Sequence, residues 1–359
     1  MSAVHRVHVE LADRSYDVAL SRGGFEPLAG LWKEAGLGQR AVVITDARVA
    51  AHWLDDVRQV LEGASVAVSV LEVPVGEAAK TVEVWSGLVD AVLAGGVDRK
   101  TAVVALGGGC VGDVAGFVAA SVMRGLPFVQ VPTTLLALVD SSVGGKVAVN
   151  HALGKNLIGA FHQPRLVFGN LDALSTLPER DFRAGLGEVL KTALLGDAAL
   201  LQRLSAMGRL TAAHPELMAV VQRCVAIKAE VVAQDEREGG LRAILNAGHT
   251  IAHAIEAVTH GDVRHGEAVA MGLVWETRYA IALGVCEDAE LADEIRRICG
   301  VWGLESSPPS LDHRQLVAAM QLDKKGSGDK LVWPAPLRAG QITLVDLPMS
   351  RLPELARSC

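Results

Sequence analysis

The chain has 359 residues, 50% of them hydrophobic, and a formal net charge of -7. That length and apolar content suffice for a sizeable core and suit two domains better than one. The acidic balance excludes the clustered basic footprint of a nucleic-acid-binding protein, so any anionic ligand must be met by local basic residues. Five cysteines, Cys110, Cys224, Cys286, Cys299 and Cys359, are scattered with no C-x-x-C pair, which fits free thiols in a reducing compartment. The opening stretch MSAVHRVHVELADRSYD has no apolar segment, and no apolar run reaches the roughly 18 residues that span a bilayer. No membrane partner and a cytoplasmic location are therefore expected.

In chain order, VHVEL and YDVAL alternate with period two and predict an antiparallel edge hairpin. RAVVIT (40–45), SVAVSVLEV (65–73), TAVVAL (101–106), FVQV (128–131) and RLVF (165–168) are near-continuous apolar runs separated by helical patterns. Such runs predict parallel strands covered on both faces. Residues 1–177 thus read as an α/β domain, Rossmann-like with a mostly parallel sheet. From Pro178 the period becomes helical: in DFRAGLGEVLKTALL, Phe182, Leu186, Val189, Leu190, Ala193 and Leu194 form one apolar stripe. Further helical patterns cover 214–235, 241–259, 265–283, 288–300 and 312–322, so residues 178–359 predict a mainly α-helical domain. The cluster ESSPPS (305–310) predicts a loop within it.

Four motifs carry chemistry. ALGGGCVGDVAGF places Gly107, Gly108 and Gly109 at a strand-to-helix turn, where bare backbone and helix amides can meet a pyrophosphate. The spacing is not G-x-G-x-x-G, and a plain tight turn stands beside the dinucleotide reading. VPTTLLALVDSSVGGKVAVNHALGKN gathers Thr133, Thr134, Asp140, Ser141, Ser142, Gly144, Gly145, Lys146, Lys155 and Asn156 into one connection. Its lysines, hydroxyls and amides suit a phosphorylated or polyhydroxylated ligand better than a merely solvated loop. In GLGEVLKTAL, Glu188 and Lys191 stand three apart and turned from the apolar stripe; on spacing alone a surface ion pair is the better reading.

The fourth motif, LNAGHTIAHAIEAVTHGDVRHGEAV, holds four histidines. His249 and His253 have the H-x-x-x-H spacing of zinc proteases, but Thr250 replaces the glutamate that would be the general base. On one continuous helix, Asn246, His249, His253 and Glu256 share a face opposite Ile244, Ile251 and Ile255. His265 follows at a helix start. Two histidines and a carboxylate are an accepted catalytic metal set, and Glu188, Glu256 and Glu267 are all candidates for the carboxylate. Spacing does not choose among them.

GGGCVGDVAGFVA, RGLPFVQVPTTLLALVDSSVGGK, GKNLIGAF, TLPERDFRAGLGEVLK, LNAGHTIAHAIEA and HGEAVAMG, in this order, resemble the 3-dehydroquinate synthase family of the shikimate pathway, from about Asp46 to Lys325. The resemblance implies a dehydroquinate synthase-like fold, NAD and a divalent metal, Zn2+ or Co2+, and a sugar phosphate substrate in a homodimer. It implies a metal set of Glu188, His249 and His265. The implied NAD-binding positions are Asp46; Val75, Gly76, Glu77 and Lys80; Gly108, Gly109, Cys110, Val111, Gly112 and Asp113; Thr133, Thr134, Asp140 and Ser141; Lys146 and Lys155; and Ala173, Leu174, Ser175 and Thr176. Substrate-side positions implied are Lys146, Lys155, Asn156, Lys191, Lys228, Arg242, Asn246 and Lys325, with His253 for proton handling. His260 is an ordinary loop histidine on this reading.

Val147, Leu138, His162 and Ala252 depart from residues usual in the family, but none is an implied metal ligand or lysine clamp. The implied reaction converts 3-deoxy-D-arabino-heptulosonate 7-phosphate to 3-dehydroquinate and phosphate, with transient oxidation, β-elimination, re-reduction and aldol closure. A glycerol-type metal-dependent alcohol dehydrogenase, another sugar phosphate cyclase and a degenerate NAD-binding protein are the rivals. The first has no use for so many lysine clamps, the second departs in the DSSVGGK loop, and the third predicts erosion of Glu188, His249, His265 or Lys146.

Overall fold

The computed structural model describes residues 3–306, 311–323 and 329–357. The chain divides into two compact units, one running to Leu177 and taking in Val221–Ala233, the other comprising Pro178–Val220 and the residues from Gln234 onward. A single cut after Leu177 therefore misplaces one segment. The reason is packing: Val221, Cys224, Val225 and Val232 are buried, and Lys228 reaches the Asp140 carboxylate at 2.5 Å and carbonyl at 2.7 Å.

The first unit is built on a seven-stranded sheet. Its strands are β1 (His5–Val9), β2 (Tyr16–Ser21), β3 (Arg40–Asp46), β4 (Ala67–Val73), β5 (Ala102–Gly107), β6 (Phe128–Pro132) and, after a separate hairpin of β7 (Lys146–His151) and β8 (Gly154–Phe161), β9 (Leu166–Asn170). The order is β1-β2-β9-β6-β5-β3-β4. Only the β1–β2 pair at the edge is antiparallel. Alternation along each strand feeds two cores: Val43, Val104 and Phe168 meet the helices Pro27–Glu34 and Asp55–Gly63 on one face. Val42, Ile44, Val103 and Ala105 meet Val82–Ala94 and Gly109–Ser121 on the other. Burial on both faces is what the continuous Val and Ile runs dictate.

The connection read from sequence as one polar loop contains the β7–β8 hairpin. Its apolar face, Val147, Val149, Ile158 and Ala160, packs onto the second core, while Lys146, Lys155 and Asn156 are exposed residues. The alternation is short and interrupted by HALGKN, so polarity masked it.

The second unit packs the helices Glu179–Gly196, Ala198–Ala206, His249–Val258, His265–Ala282, Leu291–Trp302, His313–Asp323 and Leu352–Arg357. Residues 241–259 are not one helix: a 3-10 turn, Leu241–Asn246, ends before Gly248, whose φ of 78° and ψ of -13° start a new helix at His249. A hairpin, β10 (Lys330–Arg338) with β11 (Gln341–Pro348), follows the last predicted helical pattern in this mainly helical unit. The proline-containing cluster 307–310 lies outside the described residues, as do Lys325 and Cys359. Cys110, Cys224, Cys286 and Cys299 are free thiols, and no described helix is long and apolar enough to cross a membrane.

Candidate active site

In the second unit, the helices Glu179–Gly196 and His265–Ala282 approach backbone to backbone. A Cβ on Gly187 would fall 2.1 Å from the Gly266 carbonyl oxygen, and one on Gly266 would fall 1.7 Å from that of Ala184. Side-chain-free surfaces at both residues let Glu188 and His265 lie side by side. His249, on the first turn of His249–Val258, completes the group. One ligand atom from each of Glu188, His249 and His265 lies within 4.8 Å of the others.

Glu188 is 0% and Lys191 2% exposed, so the pair read as a surface ion pair is instead inside the helical core. The burial pattern of the Glu179–Gly196 helix explains the difference: Phe182 and every residue from Ala184 to Leu195 are buried. An apolar stripe marks one buried face but does not prove the other exposed.

The orientations are specific. Lys191 Nζ stands 2.5 Å from Glu188 Oε2, while Glu188 Oε1 faces His265 Nε2 at 3.2 Å and His249 Nε2 at 3.8 Å. Tetrahedral ligands about 2.0–2.1 Å from a zinc ion stand roughly 3.3 Å apart, so these spacings suit a shared cation. His249 Nδ1 lies 3.1 Å from the Ala247 carbonyl oxygen, which can only accept, so Nδ1 carries the proton and Nε2 the lone pair. Burial, with Lys191 nearby, pushes His249 down to about 3 and keeps it neutral. Burial works against charge on His265 too, but hydrogen bonds to Glu188 and Glu256 push it up to about 10.

The three carboxylate candidates have three different tasks. Glu188 faces both imidazoles. Glu256 Oε2 receives His265 Nδ1 at 3.0 Å, the carboxylate–histidine contact that orients a metal ligand. Glu267 accepts the Arg264 amide at 2.9 Å and a two-point contact from Arg180 at 2.8 Å each, at the start of its helix. His253 has its ring centroid 5.3 Å from that of His249 and 6.3 Å from that of His265. Arg242 is buried; its backbone amide binds Asp235 Oδ2 at 2.9 Å and its guanidinium the Glu236 carbonyl. Asn246 Nδ2 donates to Glu238 Oε1 at 3.2 Å. His260 is an exposed residue with φ 51° beyond the helix end.

In the first unit the implied residues collect at the ends of the parallel strands. Asp46 ends β3 and caps the next turn, its Oδ1 accepting the Arg48 and Val49 amides at 2.9 and 3.2 Å. Val75 precedes the 3-10 turn Gly76–Ala79, which follows β4. Lys80 Nζ donates to Asp113 Oδ2 and Asn156 Oδ1, both at 2.6 Å. Burial opposes its charge, but Asp113 and Glu77 raise the Lys80 ammonium above its ordinary range. Glu77 Oε2 accepts Asn150 Nδ2 at 2.8 Å.

After β5, Gly108 and Gly109 lead into the Gly109–Ser121 helix. A Cβ on Gly108 would lie 2.9 Å from Thr134 Cγ2, and one on Gly109 3.0 Å from Ser141 Oγ. Cys110, Val111, Gly112 and Asp113 form the first turn, and burial pushes the Cys110 thiol up to about 12, protonated at neutral pH. The Thr133 amide donates to the Gly107 carbonyl at 3.0 Å. Asp140 and Ser141 lie in the turn Ala137–Ser141, with Lys228 on Asp140. Ala173, Leu174, Ser175 and Thr176 lie in the 3-10 helix Leu171–Thr176 after β9. Trp53 Nε1 donates to Thr176 Oγ1 at 2.9 Å, a link across 123 residues that no local sequence pattern announces.

Comparison with known proteins agrees over nearly the whole chain. The family model described as 3-dehydroquinate synthase N-terminal matches residues 70–184, and that described as 3-dehydroquinate synthase C-terminal matches 185–326. A 3-dehydroquinate synthase of Desulforamulus reducens is 43% identical over 342 residues, covering 94% of this chain and 95% of the relative. The crystal structure of a 2-deoxy-scyllo-inosose synthase complexed with carbaglucose-6-phosphate, NAD+ and Co2+ is 26% identical with TM-score 0.89, covering 98% of this chain and 99% of that one. A 2-epi-5-epi-valiolone synthase from Streptomyces hygroscopicus with NAD+ and Zn2+ bound is 27% identical with TM-score 0.86, covering 99% and 98%.

Proposed function

The chain belongs to the 3-dehydroquinate synthase family, and from that premise we infer that it converts 3-deoxy-D-arabino-heptulosonate 7-phosphate to 3-dehydroquinate and phosphate. On this reading it is a carbon–oxygen lyase that depends on NAD+ and a divalent metal. The observation that carries the reading is the buried Glu188–His249–His265 cluster with Lys191 against its carboxylate.

The donor set fits a divalent cation: one carboxylate and two imidazoles present their ligand atoms together, and a carbonyl and Glu256 occupy the opposite ring nitrogens. Glu188, His249 and His265 would hold Zn2+ or Co2+, which supplies a Lewis acid for a substrate oxygen. The turn at Gly108 and Gly109 is a cradle that a Cβ would fill, and with Asp46, Lys80 and Thr176 it would hold NAD+, which supplies reversible hydride acceptance.

The protein's own groups bind and orient. Lys146, Lys155, Asn156, Lys191, Lys228, Arg242, Asn246 and Lys325 are assigned to the substrate's phosphate, carboxylate and hydroxyl oxygens through charge-assisted hydrogen bonds. Lys191 also neutralises Glu188 within the core. His253, beside both histidine ligands, is assigned the proton transfer that accompanies phosphate departure. Holding the substrate in one conformation contributes more than any single proton transfer, because elimination and ring closure both demand alignment. A homodimer is the proposed assembly, measurable by light scattering.

The test is turnover. Purified protein supplied with NAD+ and Zn2+ or Co2+ should release phosphate from the heptulosonate phosphate in step with 3-dehydroquinate and without accumulating NADH. Metal-loaded protein that releases no phosphate would refute the assignment, and net NADH formation from glycerol would favour a dehydrogenase.

A further inference from the structure

Glu276 is fully buried in the helix His265–Ala282, between Trp275 and Thr277, and the reaction as described leaves it without a task. Among its contacts are N–H donors to both of its oxygens. Oε2 accepts the Gly248 amide at 3.0 Å and Trp333 Nε1 at 2.9 Å, and Oε1 accepts the Ile251 amide at 3.0 Å. Several N–H donors on one carboxyl group favour its anion.

The Gly248 amide and the Ala247 carbonyl belong to one planar peptide group. One side of that group donates to Glu276; the other side accepts the Nδ1 proton of His249 at 3.1 Å. A hydrogen bond to an anion polarises the peptide and makes its carbonyl a stronger acceptor. That in turn fixes the His249 ring and raises the electron density at Nε2, the atom facing Glu188. Gly248 has φ 78°, and a Cβ on Gly272 would fall 2.0 Å from the Gly248 carbonyl oxygen, so the close approach of the two segments is built into the backbone.

We propose that Glu276 is a positioning residue for the metal ligand His249, acting through the Ala247–Gly248 peptide. Each histidine of the cluster then has its own carboxylate: Glu256 touches His265 directly, and Glu276 reaches His249 through one peptide unit. The proposal rests on the metal-site reading of Glu188, His249 and His265.

The experiment measures Zn2+ affinity of the full chain by competition with a chromophoric chelator, alongside thermal unfolding and the visible spectrum of Co2+. Glu276→Gln is nearly isosteric but offers one acceptor oxygen to donors that need two, and its Zn2+ affinity should fall about tenfold. Trp333→Phe removes one donor from Oε2 and leaves the bond to Gly248; its melting temperature should fall while its Zn2+ affinity stays within about twofold. The Co2+ bands should shift in the first variant and not in the second.

Zn2+ affinity unchanged in a folded Glu276→Gln would overturn the proposal, as would equal weakening in both variants, which is what a merely structural cap predicts. Should Glu276→Gln fail to fold, Trp333→Phe decides alone: retained affinity at reduced melting temperature supports the relay, and weakened affinity sinks it. Failure of the unaltered chain to bind Zn2+ removes the metal-site reading itself, an outcome distinct from unchanged binding in the variant.

Discussion

The two units place their polar residues on different kinds of element. In the first, Asp46, the Gly108–Asp113 turn, Thr133 and Thr176 gather after the carboxyl ends of β3, β5, β6 and β9, in turns and helix starts beyond the strands. This is where ligands of open parallel sheets are met. In the second, Glu188 and His249 are themselves interior residues, and Gly187 and Gly266 bring the backbones together to place them. Loss of a metal-facing group in the second unit should therefore cost Zn2+ binding and stability together, whereas loss of a dinucleotide-side group in the first should weaken NAD+ binding and leave Zn2+ binding unchanged.

The largest effect is expected at Glu188. In Glu188→Gln the anion that faces Lys191 at 2.5 Å disappears within the core, and breaking a buried ion pair costs about 3–5 kcal/mol. Loss of a metal ligand should also lower Zn2+ affinity by more than about 100-fold, beyond the range seen for supporting residues. Denaturant unfolding of the metal-free protein and metal content after dialysis report the two losses separately. Full metal occupancy would remove Glu188 from the ligand set.

Next comes the helix crossing. Gly266→Ala places a Cβ 1.7 Å from the Ala184 carbonyl oxygen, and the backbones must separate, at about 3 kcal/mol or more. Gly300→Ala, on the helix Leu291–Trp302 where a Cβ meets nothing within 4 Å, should instead gain about 0.5–1 kcal/mol. Equal and small effects at the two glycines would dissolve the claim that close backbone approach builds the second-unit site. A smaller effect belongs to Lys80→Met, which removes the donor held 2.6 Å from Asp113 and from Asn156. It should weaken NAD+ binding by about 10- to 100-fold, in line with the roughly 1.5–3 kcal/mol of a hydrogen bond to a charged group. Calorimetric titration with NAD+ and a parallel Zn2+ assay test it; a matching loss of Zn2+ affinity would end the separation between the units.

The same contrast decides what the sequence disclosed. The parallel strands were legible because residues such as Val42, Val43, Val103 and Val104 are buried on both faces, which leaves an unbroken apolar run. The β7–β8 hairpin was not, because its exposed face carries the polar residues that attracted a binding-loop reading. In the second unit the ligand types were visible, but spacing could not select Glu188 over Glu256 and Glu267, since the three stand on different helices and only packing assigns them. Family resemblance named Glu188, and in the structure it is the carboxylate that faces both imidazoles. Glu276 left one faint trace, a lone carboxylate inside the apolar run GLVWETRYAIA, whose partners Gly248 and Trp333 lie 28 and 57 residues away.

The smallest expected effect is a pH dependence in the first unit. His162 is partly buried, with Nε2 2.8 Å from the Leu126 carbonyl oxygen, and burial holds it below its ordinary value. An unfolded chain protonates this residue near pH 6.5, whereas the folded unit resists the proton until a lower pH. The contribution of His162 is therefore present above about pH 6.5 and is lost as pH falls toward its folded value, by at most about 1.4 kcal/mol per pH unit. His162→Phe removes that proton linkage together with the hydrogen bond to Leu126, worth about 1 kcal/mol at neutral pH. The variant should be the less stable protein at pH 7, and the gap should narrow as urea unfolding is repeated at pH 6 and pH 5. Because His249 and His265 titrate alike in both proteins, they cancel in the difference, and a gap that stays constant with pH would show that His162 is not held neutral by its surroundings.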